Sequence, residues 1–114
     1  MTVKDLIDAV DELVENPFST AVKLRLVNEL QGKIQMEVFL VDAKDAETVS
    51  IDDIETEELM LPEARVSLYI AWMRAKLYWY MGEYDVYQNE KAVFDADWND
   101  LVRDECERAH RGTG

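Results

Sequence analysis

The side chains with the clearest capacity for metal chemistry are the only cysteine and the only histidine of the 114-residue chain, Cys106 and His110. A spacing of four residues places a thiolate and an imidazole on one face of a helix, where both can bind Zn²⁺. A zinc site needs at least a third protein ligand, and the chain holds no further Cys or His. The pair therefore indicates the end of a helix, and we assign no metal ligand.

A second candidate is the acidic stretch 42-DAKDAETVSIDD-53, whose carboxylates are the ligand type that Ca²⁺ prefers. The stretch lacks the D-x-D-x-D-G order and the turn glycine of an EF-hand loop. We interpret it as a solvated charged segment that can dock on a partner. The carboxylates assigned to this partner-docking loop are Asp45, Glu47, Asp52, Asp53, Glu55, Glu57 and Glu58.

Catalytic motifs are not found in the sequence. It has no nucleophile elbow G-x-S-x-G, no H-E-x-x-H zinc motif, no phosphate-binding G-x-x-x-x-G-K and no dinucleotide-binding G-x-G-x-x-G. With 25 acidic residues, pairs of carboxylates at the spacing used by glycosidases arise by chance. We therefore predict a protein that is not an enzyme, with no catalytic residue and no cofactor.

Charge and composition narrow the classes of partner. The chain carries 25 acidic and 12 basic residues, a net charge of −13, which opposes binding to nucleic acid and to anionic membranes. No apolar run approaches the roughly 18 residues that cross a bilayer, and acidic residues interrupt the N-terminal apolar positions where a signal peptide would be uninterrupted. We predict a soluble protein whose acidity suits a basic protein partner, repulsion of DNA or solubility alone.

The first two helices follow from apolar residues that recur at intervals of three and four. Thr2 and Asp5 have nearly the spacing of a capping box before helix one, which is predicted to end at Asn16 and Pro17. Helix two is predicted from Ser19 to about residue 40. Its end, 38-VFLV-41, is too short for periodicity to separate a helix from a strand.

The remaining elements complete an all-α, four-helix, single-domain bundle over residues 1–114. Residues 42 to about 60 lack a helical pattern and predict an extended, flexible acidic loop between helices two and three. The further predicted boundaries are a third helix from Leu61-Pro62 to Gly82, a fourth from Glu83 to about His110, and a frayed tail at 112–114.

Helix three is predicted to have two apolar faces, one rich in Ala and Trp and the other built around Tyr69 and Met73. Such a helix must be covered on both sides, either by layers of its own domain or by its domain and a neighbouring subunit. We favour the second alternative, because tryptophan is enriched at interface hot spots. The residues assigned to an oligomer interface are Leu68, Trp72, Ala75, Trp79, Tyr87 and Asn89.

An aromatic stripe follows in 80-YMGEYDVYQNEKAVFDADWNDL-101. Its helical spacing is first of all that of a core, and a cofactor box has little support. Tyr87 and Asn89 are predicted to be the exposed members. The members expected mostly in the core are Tyr80, Tyr84, Phe94 and Trp98.

Several of these segments together resemble one family, the head-to-tail connector (adaptor) proteins of tailed bacteriophages. The most specific is the pattern Gly-Glu-Tyr-x-x-Tyr-x-Asn-x-x-x-x-Phe, which runs from Gly82 to Phe94. The other matching segments are 23-KLRLVNEL-30, Glu37-Val38, 61-LP-62, Tyr69, 75-AK-76 and Gln88. Together they cover most of the chain.

The resemblance implies a mainly helical, non-catalytic subunit of a ring beneath the portal, expected to be dodecameric. Its partners would be further copies of itself, the portal protein and the next connector or tail protein, with no sequence-specific nucleic acid and no membrane. Its place would be the head-tail junction of the virion, and the host cytoplasm before assembly. The competing hypothesis is a small acidic inhibitor or DNA mimic that binds a basic protein.

Overall fold

A computed structural model describes the backbone of residues 1–113 and the side chains of residues 1–109. Its helices are α1 Val3–Leu13, α2 Thr20–Glu37, α3 Val66–Tyr80 and α4 Tyr84–Thr113. Within the described residues, extended pairing is limited to one β-bridge between Thr2 and Glu58. The predicted all-α, four-helix fold is confirmed.

Helix α1 begins with the capping box that the sequence predicted. The Asp5 N–H donates to Thr2 Oγ1 at 3.1 Å, and the Thr2 N–H donates to Asp5 Oδ2 at 3.1 Å. The Thr2 N–H and the Thr2 hydroxyl stabilise the Asp5 carboxylate, so they hold the pKa of Asp5 below its ordinary value. The cap fixes the start of a helix whose apolar face is fully buried at Val3, Leu6 and Val10.

Helix α2 begins after Ser19, as predicted, and Ser19 is its N-cap, but the helix ends at Glu37, three residues before the predicted end. Residues 38–41 form neither of the two elements considered for them. The backbone turns there through Leu40, a non-glycine residue with φ of 58°, and the Val41 N–H donates back to the Gln35 carbonyl at 2.9 Å. The turn directs the chain into the acidic segment.

Helices α3 and α4 form an antiparallel hairpin around Gly82. Its φ of 77° is in the left-handed region, where a residue without Cβ is favoured. The Glu83 N–H donates to the Tyr78 carbonyl at 2.9 Å and the Gly82 N–H to the Trp79 carbonyl at 3.1 Å, which is the Schellman pattern. The predicted end of helix three at Gly82 is therefore confirmed within two residues.

Helix α3 is the central element, covered on one side by α4 and on the other by α1 and α2. Tyr69, Met73 and Leu77 have no exposed surface. They meet the buried faces of α1 and α2, where Leu6, Leu30 and Ile34 lie. Two-sided covering of this helix was predicted, and the layers that cover it belong to the same chain.

Helix α4 has 30 residues, which corresponds to about 45 Å, close to the longest dimension of the molecule, 49 Å. Its described side chains include only two that are buried, Phe94 and Leu101. The helix passes its predicted end near residue 110 and continues through residues 112 and 113, which were predicted to fray, whereas Gly114 lies outside the described residues. Much of α4 is therefore a long, charged, solvent-facing rod.

Candidate interaction surfaces

The acidic segment, residues 42–60, exposes all the carboxylates assigned to it. It consists of irregular chain with two short 3₁₀ turns, Ala43–Asp45 and Ile51–Asp53. The exposed members of the predicted docking loop are Asp45, Glu47, Asp52, Asp53, Glu55, Glu57 and Glu58. The loop therefore presents its charge to solvent, as a docking loop requires.

Two side chains of α2 hold the backbone of this segment, and we call them the amide clamps. Gln35 donates to the Glu47 carbonyl and accepts from the Glu47 N–H, both at 2.8 Å. Asn28 does the same for Val49, at 3.0 Å to the carbonyl and 2.8 Å from the N–H. A primary amide carries both a donor and an acceptor, so it reproduces the pairing of a neighbouring strand.

The segment is also attached to the start of α1. The Val3 N–H donates to the Glu57 carbonyl and the Lys4 N–H to the Ile54 carbonyl, each at 2.9 Å. Within the segment, three apolar side chains are buried: Val49, Ile54 and Leu59. The sequence predicted a flexible loop, whereas the structure shows a backbone fixed by contacts within the chain. The difference arises because Asn and Gln on a helix face leave no periodic signal of what they bind.

A buried polar group joins the end of the segment to α3. Tyr69 Oη donates to Gln31 Oε1 at 3.1 Å, and the Leu61 N–H donates to Tyr69 Oη at 3.4 Å. Burial raises the pKa of Tyr69 to about 12, although the backbone N–H groups of Met60 and Leu61 oppose the shift. The hydroxyl therefore stays protonated and acts as a structural link.

The predicted oligomer interface on α3 is largely covered by α4. Leu68 and Ala75 are 1% and 6% exposed, so they offer little surface to a neighbouring subunit. Trp72 is half-buried, donates through Nε1 to the Leu26 carbonyl at 2.9 Å and packs on Phe94 with ring centroids 5.2 Å apart. This face of α3 is thus an intrachain contact, because a 15-residue helix followed by a tight turn brings α4 directly onto it.

The other three assigned interface residues lie at or near the α3–α4 turn. Trp79 is 49% exposed, and its ring contacts those of Tyr84 and Tyr87 at 4.8 and 5.0 Å between centroids. Tyr87 is half-buried and Asn89 is exposed. We call Trp79, Tyr80, Tyr84 and Tyr87 the aromatic corner.

The aromatic stripe divides differently from the prediction. Phe94 is buried and Trp98 is half-buried, in agreement with a core role. Tyr80 and Tyr84 were expected mostly in the core, but they are 50% and 53% exposed. The reason is that α4 starts at the tip of the hairpin, so its first turns have only the end of α3 to pack against. The exposed aromatic surface of this part of the molecule is therefore the aromatic corner.

A cavity of about 240 Å³ opens between α2, α3 and α4, and we call it the lysine pocket. It is lined by three lysines, Lys33, Lys76 and Lys91, one from each helix. Its lining also includes Trp72, Ala75, Tyr87, Phe94 and Asp95. Sequence reasoning missed this site, because its lysines lie 43 and 15 residues apart and no local pattern joins them.

Another groove lies between the end of α2 and the distal part of α4. Leu40 is 80% exposed at this groove and Val102 is 40% exposed. Cys106 also lines it and is exposed, while the side chain of His110 lies outside the described residues. Among the side chains that the structure describes, no three potential metal ligands come together.

The described helices include none that is long and apolar enough to span a bilayer. In comparisons with known proteins, no family model, no curated protein and no solved structure matches this chain.

Proposed function

We propose that this protein is a structural subunit of the head-to-tail connector of a tailed bacteriophage. In this role it forms a ring beneath the portal and links the capsid to tail components without catalysis. Copies of the chain, the portal protein and the next connector or tail protein are its partners. Its place is the head-tail junction of the virion, and the host cytoplasm before assembly.

The main support for the proposal is the position in the fold of the segment that carries the most specific resemblance. The Gly82–Phe94 pattern occupies the hairpin turn and the first turns of α4, and its glycine has the positive φ that the turn requires. Two of its aromatic rings, Tyr84 and Tyr87, pack on Trp79 while leaving much of the corner exposed. Exposed, mutually packed aromatics are typical of a protein interface.

Charge adds support. A net charge of −13 on each subunit gives a ring of copies a strongly negative lining, along which DNA passes without adhering. The same charge makes free subunits repel one another. Assembly on a portal template would offset this repulsion by raising the local concentration of subunits. We therefore expect the isolated chain to be a monomer or a concentration-dependent mixture.

A second candidate function is favoured by one observation, the fixed backbone of the acidic segment. A DNA mimic needs carboxylates held in a defined arrangement, and the amide clamps provide such a frame. Under this hypothesis the segment occupies the basic groove of a nuclease or regulator. It predicts tight one-to-one binding and inhibition that competes with DNA.

Affinity purification of the tagged chain from phage-producing cells separates the two functions. The connector proposal predicts recovery of portal and tail components. It also predicts a lower yield with Tyr84→Ala at the aromatic corner, and an unchanged yield with Val93→Ala, which removes an equally exposed side chain elsewhere on α4. Recovery of a nuclease or repressor, with no portal or tail component, would support the DNA mimic and reject the connector.

A further inference from the structure

The lysine pocket concentrates positive charge in a strongly acidic molecule. Three of the chain's six lysines line it, together with the rings of Trp72, Phe94 and Tyr87. Aromatic faces attract ammonium groups. Lys76 Nζ lies 4.6 Å from the centroid of the Trp72 ring, and Lys33 Nζ lies 4.5 Å from the centroid of the Trp98 ring. The pocket therefore offers a positively charged, aromatic-walled recess to an anionic group.

The lysines of the pocket can change partners at little cost. Lys33 pairs with Glu37 at 2.7 Å and Lys91 with Asp95 at 2.8 Å, and both are partly exposed pairs four residues apart on a helix. Exposed pairs of this kind contribute little to stability, so a better-placed carboxylate can replace either one. Lys76 forms no ion pair among the described residues. It is thus the cation most available to an incoming ligand.

We propose that the lysine pocket receives the acidic segment of a second copy of this chain. The inference rests on the self-assembly included in the proposed function. Residues 42–58 carry eight acidic residues and one lysine, a net charge of −7, and their carboxylates are exposed on an ordered backbone. Between two copies of net charge −13, contacts between opposite charges are scarce, and this pair of surfaces supplies one.

The geometry prevents a subunit from filling its own pocket. Successive helical residues differ by about 100°, so Lys33 and Gln35 lie roughly 200° apart, on opposite sides of α2. Gln35 holds the acidic segment against one side, and Lys33 faces the pocket on the other. Each chain therefore presents an acidic side and a basic recess in different directions, which is the arrangement of a heterologous contact that forms rings when its rotation closes.

A charge exchange between the two surfaces tests the proposal on the full-length chain. One variant carries Lys33→Glu and Lys76→Glu, and the other carries Asp52→Lys and Asp53→Lys. Association is measured by analytical ultracentrifugation up to about 1 mM, with circular dichroism to establish that each variant is folded. Each variant alone should associate at least about tenfold more weakly than the natural chain, and an equimolar mixture should recover association.

Lys44→Glu is the control, because it makes the same kind of substitution, with half the change in charge, at one exposed lysine that lies outside the pocket and within the acidic segment. It should leave association unchanged or strengthen it. Equal weakening by Lys44→Glu, no recovery in the mixture, or no association of the natural chain at any concentration would each overturn the proposal. Ring formation on the portal is a separate measurement. If the pocket variant still forms a ring there, the connector proposal stands and only the contact between the lysine pocket and the acidic segment is rejected.

Zero-length carbodiimide coupling locates the contact, because it joins an amine to a carboxylate only when the two touch. In a mixture of ¹⁴N- and ¹⁵N-labelled chains, cross-links between unlike isotopes come from different copies. The expected links join Lys76, or its two neighbours in the pocket, to carboxylates of residues 42–58. Links that instead join Lys4 to carboxylates of another copy would place the contact elsewhere and overturn the assignment.

Discussion

Removal of the amide clamps has an effect that can be worked out from the structure. Gln35→Ala deletes the two bonds to Glu47, and Asn28→Ala deletes the two bonds to Val49. A hydrogen bond of this kind contributes about 1 kcal/mol net, so each clamp contributes about 2 kcal/mol to closing the segment locally. The two clamps together contribute at most about 4 kcal/mol, because water can form hydrogen bonds with the freed backbone groups and so offset part of the loss.

Hydrogen exchange measured residue by residue is the assay. Since 1.4 kcal/mol is a factor of ten, exchange of the Glu47 N–H should accelerate about 30-fold in Gln35→Ala, and that of the Val49 N–H by about the same factor in Asn28→Ala. The matched controls are Gln88→Ala and Asn99→Ala, which remove the same groups from exposed positions on α4. They should leave both rates unchanged.

Hydrogen exchange of the natural chain can refute the claim that the amide clamps hold the segment. The Thr48 N–H lies between the two clamped residues and makes no hydrogen bond in the described structure. If the N–H groups of Glu47 and Val49 exchange as fast as that of Thr48, the clamps do not hold in solution. The segment would then be the loose loop that its composition predicted.

Three further predictions concern stability and acid sensitivity. Gly82→Ala should destabilise the fold by about 1 kcal/mol because its φ is positive, whereas Gly32→Ala, inside α2 with open space around it, should stabilise it by up to about 1 kcal/mol in urea unfolding. Trp72→Ala should lower the free energy of unfolding by about 2–4 kcal/mol. Trp79→Ala should lower it by less, because Trp79 is half-exposed, so equal losses would contradict the burial described here. Burial, the largest single influence, raises the pKa of Asp11, but the bonds from Lys23 and Asn16 and the charges of Lys23 and Lys4 together lower it more, so Asp11→Asn should reduce the loss of stability on acidification below about pH 4.

The sign of the Asp11 effect follows from linkage. The folded-state pKa lies below the ordinary value of 3.8, so the carboxylate contributes stability above that pH and loses it as the pH falls through the folded value. Asp11→Asn should also cost about 1–2 kcal/mol at neutral pH, because Lys23 is only 5% exposed and loses its partner. That cost is below the range for fully buried pairs, since the Asp11 side chain is 41% exposed.

Local signals in the sequence predicted the starts of α1 and α2 and the turn after α3, whereas α1 ends at Leu13, three residues before the predicted Asn16. The Thr2 capping box and the Gly82 end of the hairpin each depend on one or two neighbouring residues, which a sequence displays directly. The three-residue error at the end of α2 arose because 38-VFLV-41 continues the apolar pattern. The left-handed Leu40 and the bond from the Val41 N–H to the Gln35 carbonyl mark the end of the helix there.

The candidate sites were predicted less completely, because they depend on which helices meet. The two apolar faces of α3 were visible in the sequence, but periodicity does not tell whether α4 or another subunit covers the second face. In the structure α4 packs against α3, and Leu68 and Ala75 are buried. The lysine pocket and the amide clamps join residues far apart in the chain, so only the folded arrangement reveals them.

The connector proposal is tested most directly by electron microscopy of isolated phage portal assemblies incubated with the purified chain. The proposal predicts a ring of added density, coaxial with the portal and formed by several copies of the chain, at concentrations where the free chain is mainly monomeric. A portal assembly that shows no added density at saturating concentrations of the folded chain would contradict it.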